Sequence, residues 1–134
     1  MADWMQVPAI LISIILGAIA IFQLLLFLGF PLGEYGWGGK HAGVLPPRLR
    51  MMSLPSAVLL VFMSLIFLIH THVVSSDLLV MPTQILVWII TIFLAVNTLG
   101  NLASKSKKER LVMTPLSGLA CLLSLTVAIF TGIG

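Results

Sequence analysis

Charge is nearly absent from this chain. Of its 134 residues only 8% are charged, and no Asp, Glu, Lys, Arg or His occurs between Asp3 and Glu34, Arg50 and His70, or Asp77 and Lys105, or after Arg110. With no ionisable group deep in any apolar run, a proton-coupled exchanger of the small multidrug-resistance type is not expected, since it needs a carboxylate inside the membrane. An intramembrane protease or a deep metal site is argued against on the same ground. Cysteine is down to Cys121, so no intrachain disulfide is expected, and within an apolar run that thiol serves as a small hydrophobe. The opening MADWMQVP lacks a basic region and carries Asp3, so a cleaved signal peptide is not expected. No basic helix or aromatic platform stands outside the apolar runs, which argues against nucleic acid as a partner despite a pI near 9.5. Gly39 and Lys40 are followed by His41 rather than Ser or Thr, so the segment is not a phosphate-binding P-loop. No nucleophile–base pair is visible, and neither enzyme activity nor a cofactor or metal is expected.

What the chain has is apolar length. Hydrophobic residues make up 60% of it and the mean hydropathy is +1.18, more than one soluble core of this size holds, so the bilayer must be the solvent. Four runs, at about residues 8–30, 53–74, 83–104 and 111–133, each supply the roughly 20 residues needed to cross a hydrocarbon layer. They must be helices, because lipid offers the backbone no hydrogen-bond partners.

The 7 lysines and arginines lie in two connections: Lys40, Arg48 and Arg50 in the Gly-rich loop 31–52, then Lys105, Lys107, Lys108 and Arg110. The amino-terminal tail and the second connection carry only Asp3 and Asp77. The positive-inside rule then places both basic loops in the cytoplasm and both termini outside. Trp4, Trp37 and Trp88 suit interfacial anchors. The expected fold is all-α: a single-domain, up-down, four-helix transmembrane bundle, N-out and C-out, whose basic face meets anionic headgroups.

Small residues mark where helices approach in lipid. In the fourth run Thr114, Ser117, Cys121, Ser124, Ala128 and Thr131 recur at alternating spacings of three and four, a seam for packing within one chain or for an oligomer or partner membrane protein. Shorter seams are Ala9, Ser13, Gly17 and Ala20, and Ala57, Ser64 and Thr71.

Polar side chains gather at the basic end. On the third helix Asn97, Asn101, Ser104 and Lys108, at spacings of four, three and four, form one narrow stripe. Gln23 lies at a comparable depth in the first run, and buried amides need partners. Loop 31–52, with five glycines between residues 33 and 43, reads as an interfacial hairpin anchored by Trp37, with a ligand or partner site as the second reading. Glu34, Lys40, His41, Arg48 and Arg50 supply both charge signs there. His70 and His72 project about 200° apart on a helix and with Asp77 make a weak metal set; interfacial histidines facing water or headgroups are expected instead.

The stretches GEYGWGGKHAGVLPPRLR, residues 33–50, and NTLGNLASKSKKERLVMTP, residues 97–115, resemble segments of uncharacterised small four-helix bacterial integral membrane proteins. The resemblance implies a multi-pass protein of the bacterial cytoplasmic membrane and assigns no catalytic residue. The function expected is an oligomeric transport or channel-like protein. Its cytoplasm-facing vestibule would use Gln23, Asn97, Asn101 and Ser104 for polar coordination, and Lys40, His41, Arg48 and Arg50 for electrostatic selection. The alternative is a non-catalytic accessory or scaffold protein that binds a membrane protein or anionic lipid.

Overall fold

Four long helices dominate the chain, and no strand occurs among the described residues. The computed structural model describes residues 3–41, 43–71, 73 and 83–133. In it α1 is Gln6–Leu28, α2 is Pro47–His70, α3 is Thr83–Leu102 and α4 is Lys107–Ile133. All four are long and apolar enough to cross a membrane. The second connection lies largely outside the described residues, and with it His72 and Asp77.

Local chemistry sets the helix ends. Gly29 takes a left-handed φ of 99°; its N–H donates to the Leu26 carbonyl at 3.2 Å and that of Phe30 to Leu25 at 3.1 Å. This glycine cap satisfies the last carbonyls of α1 before Pro31 stops the helix. At the far side of the loop α2 begins at Pro47, not near residue 53, because proline suits the first helical position and follows another proline. Arg48 and Arg50 therefore ride on α2, and Pro55 sits well inside it. Likewise α4 starts at Lys107, not near residue 111. Ser106 caps it, with its hydroxyl accepting from the Glu109 N–H at 3.4 Å and its carbonyl from that of Arg110 at 3.1 Å. The stripe expected to run on to Lys108 therefore breaks: α3 ends at Leu102, and Lys108 belongs to the first turn of α4.

The helices associate through their small and polar residues. Between α1 and α2, Ser13 donates to the Ser64 carbonyl at 3.3 Å, Gln6 to that of Thr71 at 3.3 Å, and Arg50 Nε to that of Phe27 at 3.3 Å. The start of each helix thus lies beside the end of the other. Between α3 and α4, Thr91 pairs with Ser124, Gln84 donates to the Ala128 carbonyl at 2.9 Å, and Cys121 Sγ lies 3.8 Å from the Thr91 carbonyl. Ala9, Ile12 and Leu16 of α1, Phe67 of α2, Leu94 of α3 and Val127 of α4 share the core. Large apolar side chains such as Ile14, Ile21, Val58, Val96 and Leu122 stay exposed, as lipid permits and water does not. The helices α2 and α3 touch least of the neighbouring pairs.

Candidate functional site

The Gly-rich loop folds back over one end of the bundle. The Gly33 N–H donates to the Gly43 carbonyl at 2.8 Å, and Gly33 is buried so tightly that a Cβ would strike the His41 and Gly43 carbonyls. Gly36 rests on Phe22 and Leu26 of α1, and Gly39, at φ 70°, lies against Ser106. Trp37 holds a positive φ of 54°, and its indole N–H donates to Ser53 Oγ at 3.1 Å. From α4, Lys108 Nζ reaches Glu34 Oε2 at 2.8 Å and lies 5.8 Å from the centre of the Tyr35 ring.

Beneath this hairpin is a cavity of about 460 Å³, lined by all four helices and by Tyr35, Gly36 and Trp37. Its volume falls in the ordinary range of small-molecule sites. Gln23 enters from α1, Ser56 and Leu60 from α2, Asn97, Gly100 and Asn101 from α3, and Glu109, Met113 and Ser117 from α4. Phe22 and Phe93 add aromatic surface.

No protein-family model, curated protein or solved structure matches this chain.

The expected site residues divide. Gln23, Asn97 and Asn101 share the cavity. Asn101 donates from Nδ2 to Ser117 Oγ at 3.0 Å and to the Met113 carbonyl at 3.5 Å, which turns its amide hydrogens toward α4. Gln23 Oε1 is buried without a hydrogen-bond partner, the costly state for an amide oxygen. Ser104 is buried in the turn after α3; it accepts from the Ser106 N–H at 3.1 Å, and its carbonyl accepts from Arg110 at 2.6 Å. It acts in the turn and is not among the lining residues. Glu34 is tied to Lys108.

The cations expected to select a ligand do not line the cavity: Lys40, His41, Arg48 and Arg50 all lie elsewhere. The reason is the early start of α2, which carries Arg48 outward and sets Arg50 against the carbonyl end of α1, where a guanidinium satisfies free carbonyls.

The residue that sequence reasoning missed is Glu109. Outside the apolar run that begins near residue 111, it lies in the first turn of α4, is 2% exposed and lines the cavity. The spacing Ser106-x-x-Glu109 is that of a capping box, in which the glutamate would reach back to the N–H of Ser106. Here Ser104 Oγ takes that N–H, and Glu109 is left among the residues that line the cavity.

At the other end of α2, His70 also departs from expectation. It is buried, with Nδ1 at 2.8 Å from Thr83 Oγ1 and Nε2 at 2.8 Å from Thr131 Oγ1. Thr131 also donates to the Val127 carbonyl or to Gln84 Oε1. The expectation of a water-facing histidine fails here because three helices converge on this ring.

Proposed function

We propose that the chain is a small multi-pass protein of the bacterial cytoplasmic membrane. It acts as a transport or channel-like protein, and the cavity under the hairpin is its cytoplasm-facing vestibule. The observation that carries the reading is the cavity itself: it joins loop residues Tyr35 and Trp37 to Gln23 and Asn97 of two different helices. Its polar groups include an amide oxygen with no partner in the protein. Such a group is costly unless water or a ligand reaches it.

The up-down, N-out and C-out topology belongs to the same proposal. Its support is that both basic connections meet at one end, through Lys108 with Glu34 and Gly39 with Ser106. At the other end Trp4 packs edge-on against Phe130, with ring centres 5.6 Å apart. The positive-inside rule makes the basic end cytoplasmic. The α4 seam lends no support to an oligomer at Ser117, Ser124 and Thr131, because these hydroxyls bond within the chain.

The accessory reading draws on a different observation. Lys40, Arg48, Lys105 and Lys107 are exposed around the hairpin end, where they suit anionic headgroups.

The test is solute flux from proteoliposomes holding the full chain. Gly100 lines the cavity and a Cβ there meets nothing within 4 Å, so Gly100→Phe is the variant that adds bulk at the vestibule wall. Flux lost in Gly100→Phe, with helical content and thermal midpoint retained, supports the vestibule. Flux equal in the two chains, or no flux from the unaltered chain, removes the transport reading.

A further inference from the structure

The charge inside the cavity is opposite in sign to the charge around it. Among the lining residues Glu109 alone is charged, and it is 2% exposed. The neighbours that would neutralise it point elsewhere: Lys108 to Glu34 at 2.8 Å and Arg110 to the Ser104 carbonyl at 2.6 Å. No ion pair to Glu109 occurs among the described residues. The helix N-terminus offsets part of a carboxylate's cost in the first turn, yet a buried charge calls for a directly bonded partner as well. The second unmet group, Gln23 Oε1, is also an acceptor. The amide hydrogens of Asn101, which would have served an anion, are already given to Ser117 and Met113. Beside the amide groups of Asn97 and Gln23, the cavity therefore offers an unmet acceptor and a negative charge, between the rings of Phe22, Tyr35, Trp37 and Phe93.

We propose that this cavity binds a hydrophobic organic ammonium ion. The Glu109 carboxylate is the counter-charge, Gln23 Oε1 accepts an ammonium N–H, and the aromatic rings hold the apolar part and the edge of the cation. The proposal rests on the vestibule reading and adds the ligand's sign and class. Leu59 and Phe93, at 48% and 44% exposure, form the outer wall between α2 and α3, the least packed neighbouring pair. A ligand with an apolar body reaches the site from the bilayer along that seam and is not required to pass the lysines and arginines.

Equilibrium dialysis of the detergent-solubilised full chain tests this with three probes of one shape: 2-phenylethylammonium, neutral 2-phenylethanol and anionic 3-phenylpropanoate. The unaltered chain binds the ammonium saturably, at least about tenfold more tightly than the alcohol, and the anion most weakly. Glu109→Gln brings the ammonium down to the level of the alcohol without changing the alcohol, and Glu109→Asp keeps most of the preference. Equal binding of ammonium and anion by the unaltered chain overturns the proposal without any variant, as does a preference that survives in Glu109→Gln. Gly100→Phe separates the two levels of inference. If it abolishes binding of all three probes but no charge preference exists, the vestibule stands and the ammonium assignment falls. If none of the probes responds to it, both fall.

Discussion

Lys108 Nζ lies 2.8 Å from Glu34 Oε2, and this pair ties the Gly-rich hairpin to the first turn of α4 directly above the cavity. Both side chains are substantially exposed, at 59% and 37%, so solvent screens the pair and it contributes little to global stability. Its local effect is larger, because Tyr35 beside it forms part of the cavity roof. Lys108→Met is expected to leave the thermal midpoint nearly unchanged while opening the hairpin. The measurement is the maleimide reaction rate of Gly100→Cys in a Cys121→Ala background. That rate rises several-fold in Lys108→Met, and added salt raises it in part without the substitution, by screening the pair. A rate indifferent to both would mean that the hairpin is held by its other contacts alone.

Two glycines are expected to behave oppositely. At Gly33 an added Cβ runs into the carbonyl oxygens of His41 and Gly43, both backbone atoms that have little room to move. Gly33→Ala should destabilise the hairpin by about 2 kcal/mol or more and break the Gly33–Gly43 hydrogen bond. At Gly17, inside α1, a Cβ meets nothing within 4 Å, so Gly17→Ala should be neutral or stabilise by up to about 1 kcal/mol through helix propensity. Thermal unfolding of the two variants in one detergent decides the matter; a neutral Gly33→Ala would contradict the packing of the hairpin.

Much of this architecture is written in the chain at the scale of a helix. Four apolar runs of spanning length and the Gly29-Phe30-Pro31 stop are local signals, and the bilayer makes the first of them hard to miss. The beginnings of α2 and α4 are less legible, because Arg48, Arg50, Lys107 and Lys108 mark a membrane boundary by charge and not a helix boundary by geometry. Glu109 illustrates the limit for the site. Its spacing from Ser106 is visible in the sequence. Whether its carboxylate closes the cap or turns inward depends on Ser104 taking the N–H of Ser106, a choice made by the α3–α4 turn. His70 is similar, since its partners Thr83 and Thr131 arrive from two other helices.

The His70 network carries its own prediction. His70→Leu removes the hydrogen bonds of the ring to Thr83 and Thr131 at the junction of α2, α3 and α4. Interhelical bonds of this kind in membrane proteins contribute about 0.6 kcal/mol on average and up to about 1.7. The expected loss of unfolding free energy is therefore about 1–3 kcal/mol. A double-mutant cycle with Thr131→Val, which keeps the shape and removes the hydroxyl, should return a coupling of about 0.6–1.7 kcal/mol. Strict additivity of the two substitutions would rule out the His70–Thr131 bond.

The α4 seam distinguishes packing within the chain from association between chains. Ser124 is fully buried and its hydroxyl meets Thr91 of α3, so Ser124→Leu forces two extra heavy atoms into a filled contact. Overpacking of this kind costs about 1–3 kcal/mol, and it falls on the α3–α4 pair of the single chain. The expected result is a lowered thermal midpoint with the mass of the protein–detergent particle unchanged. Leu122→Ala provides the contrast, since Leu122 lies two residues away, is 64% exposed and faces outward; it should leave the midpoint nearly unchanged. If Ser124→Leu instead left stability intact and halved the particle mass, the seam would be an interface between copies, and the Thr91–Ser124 contact would not be the one that the membrane-embedded protein makes.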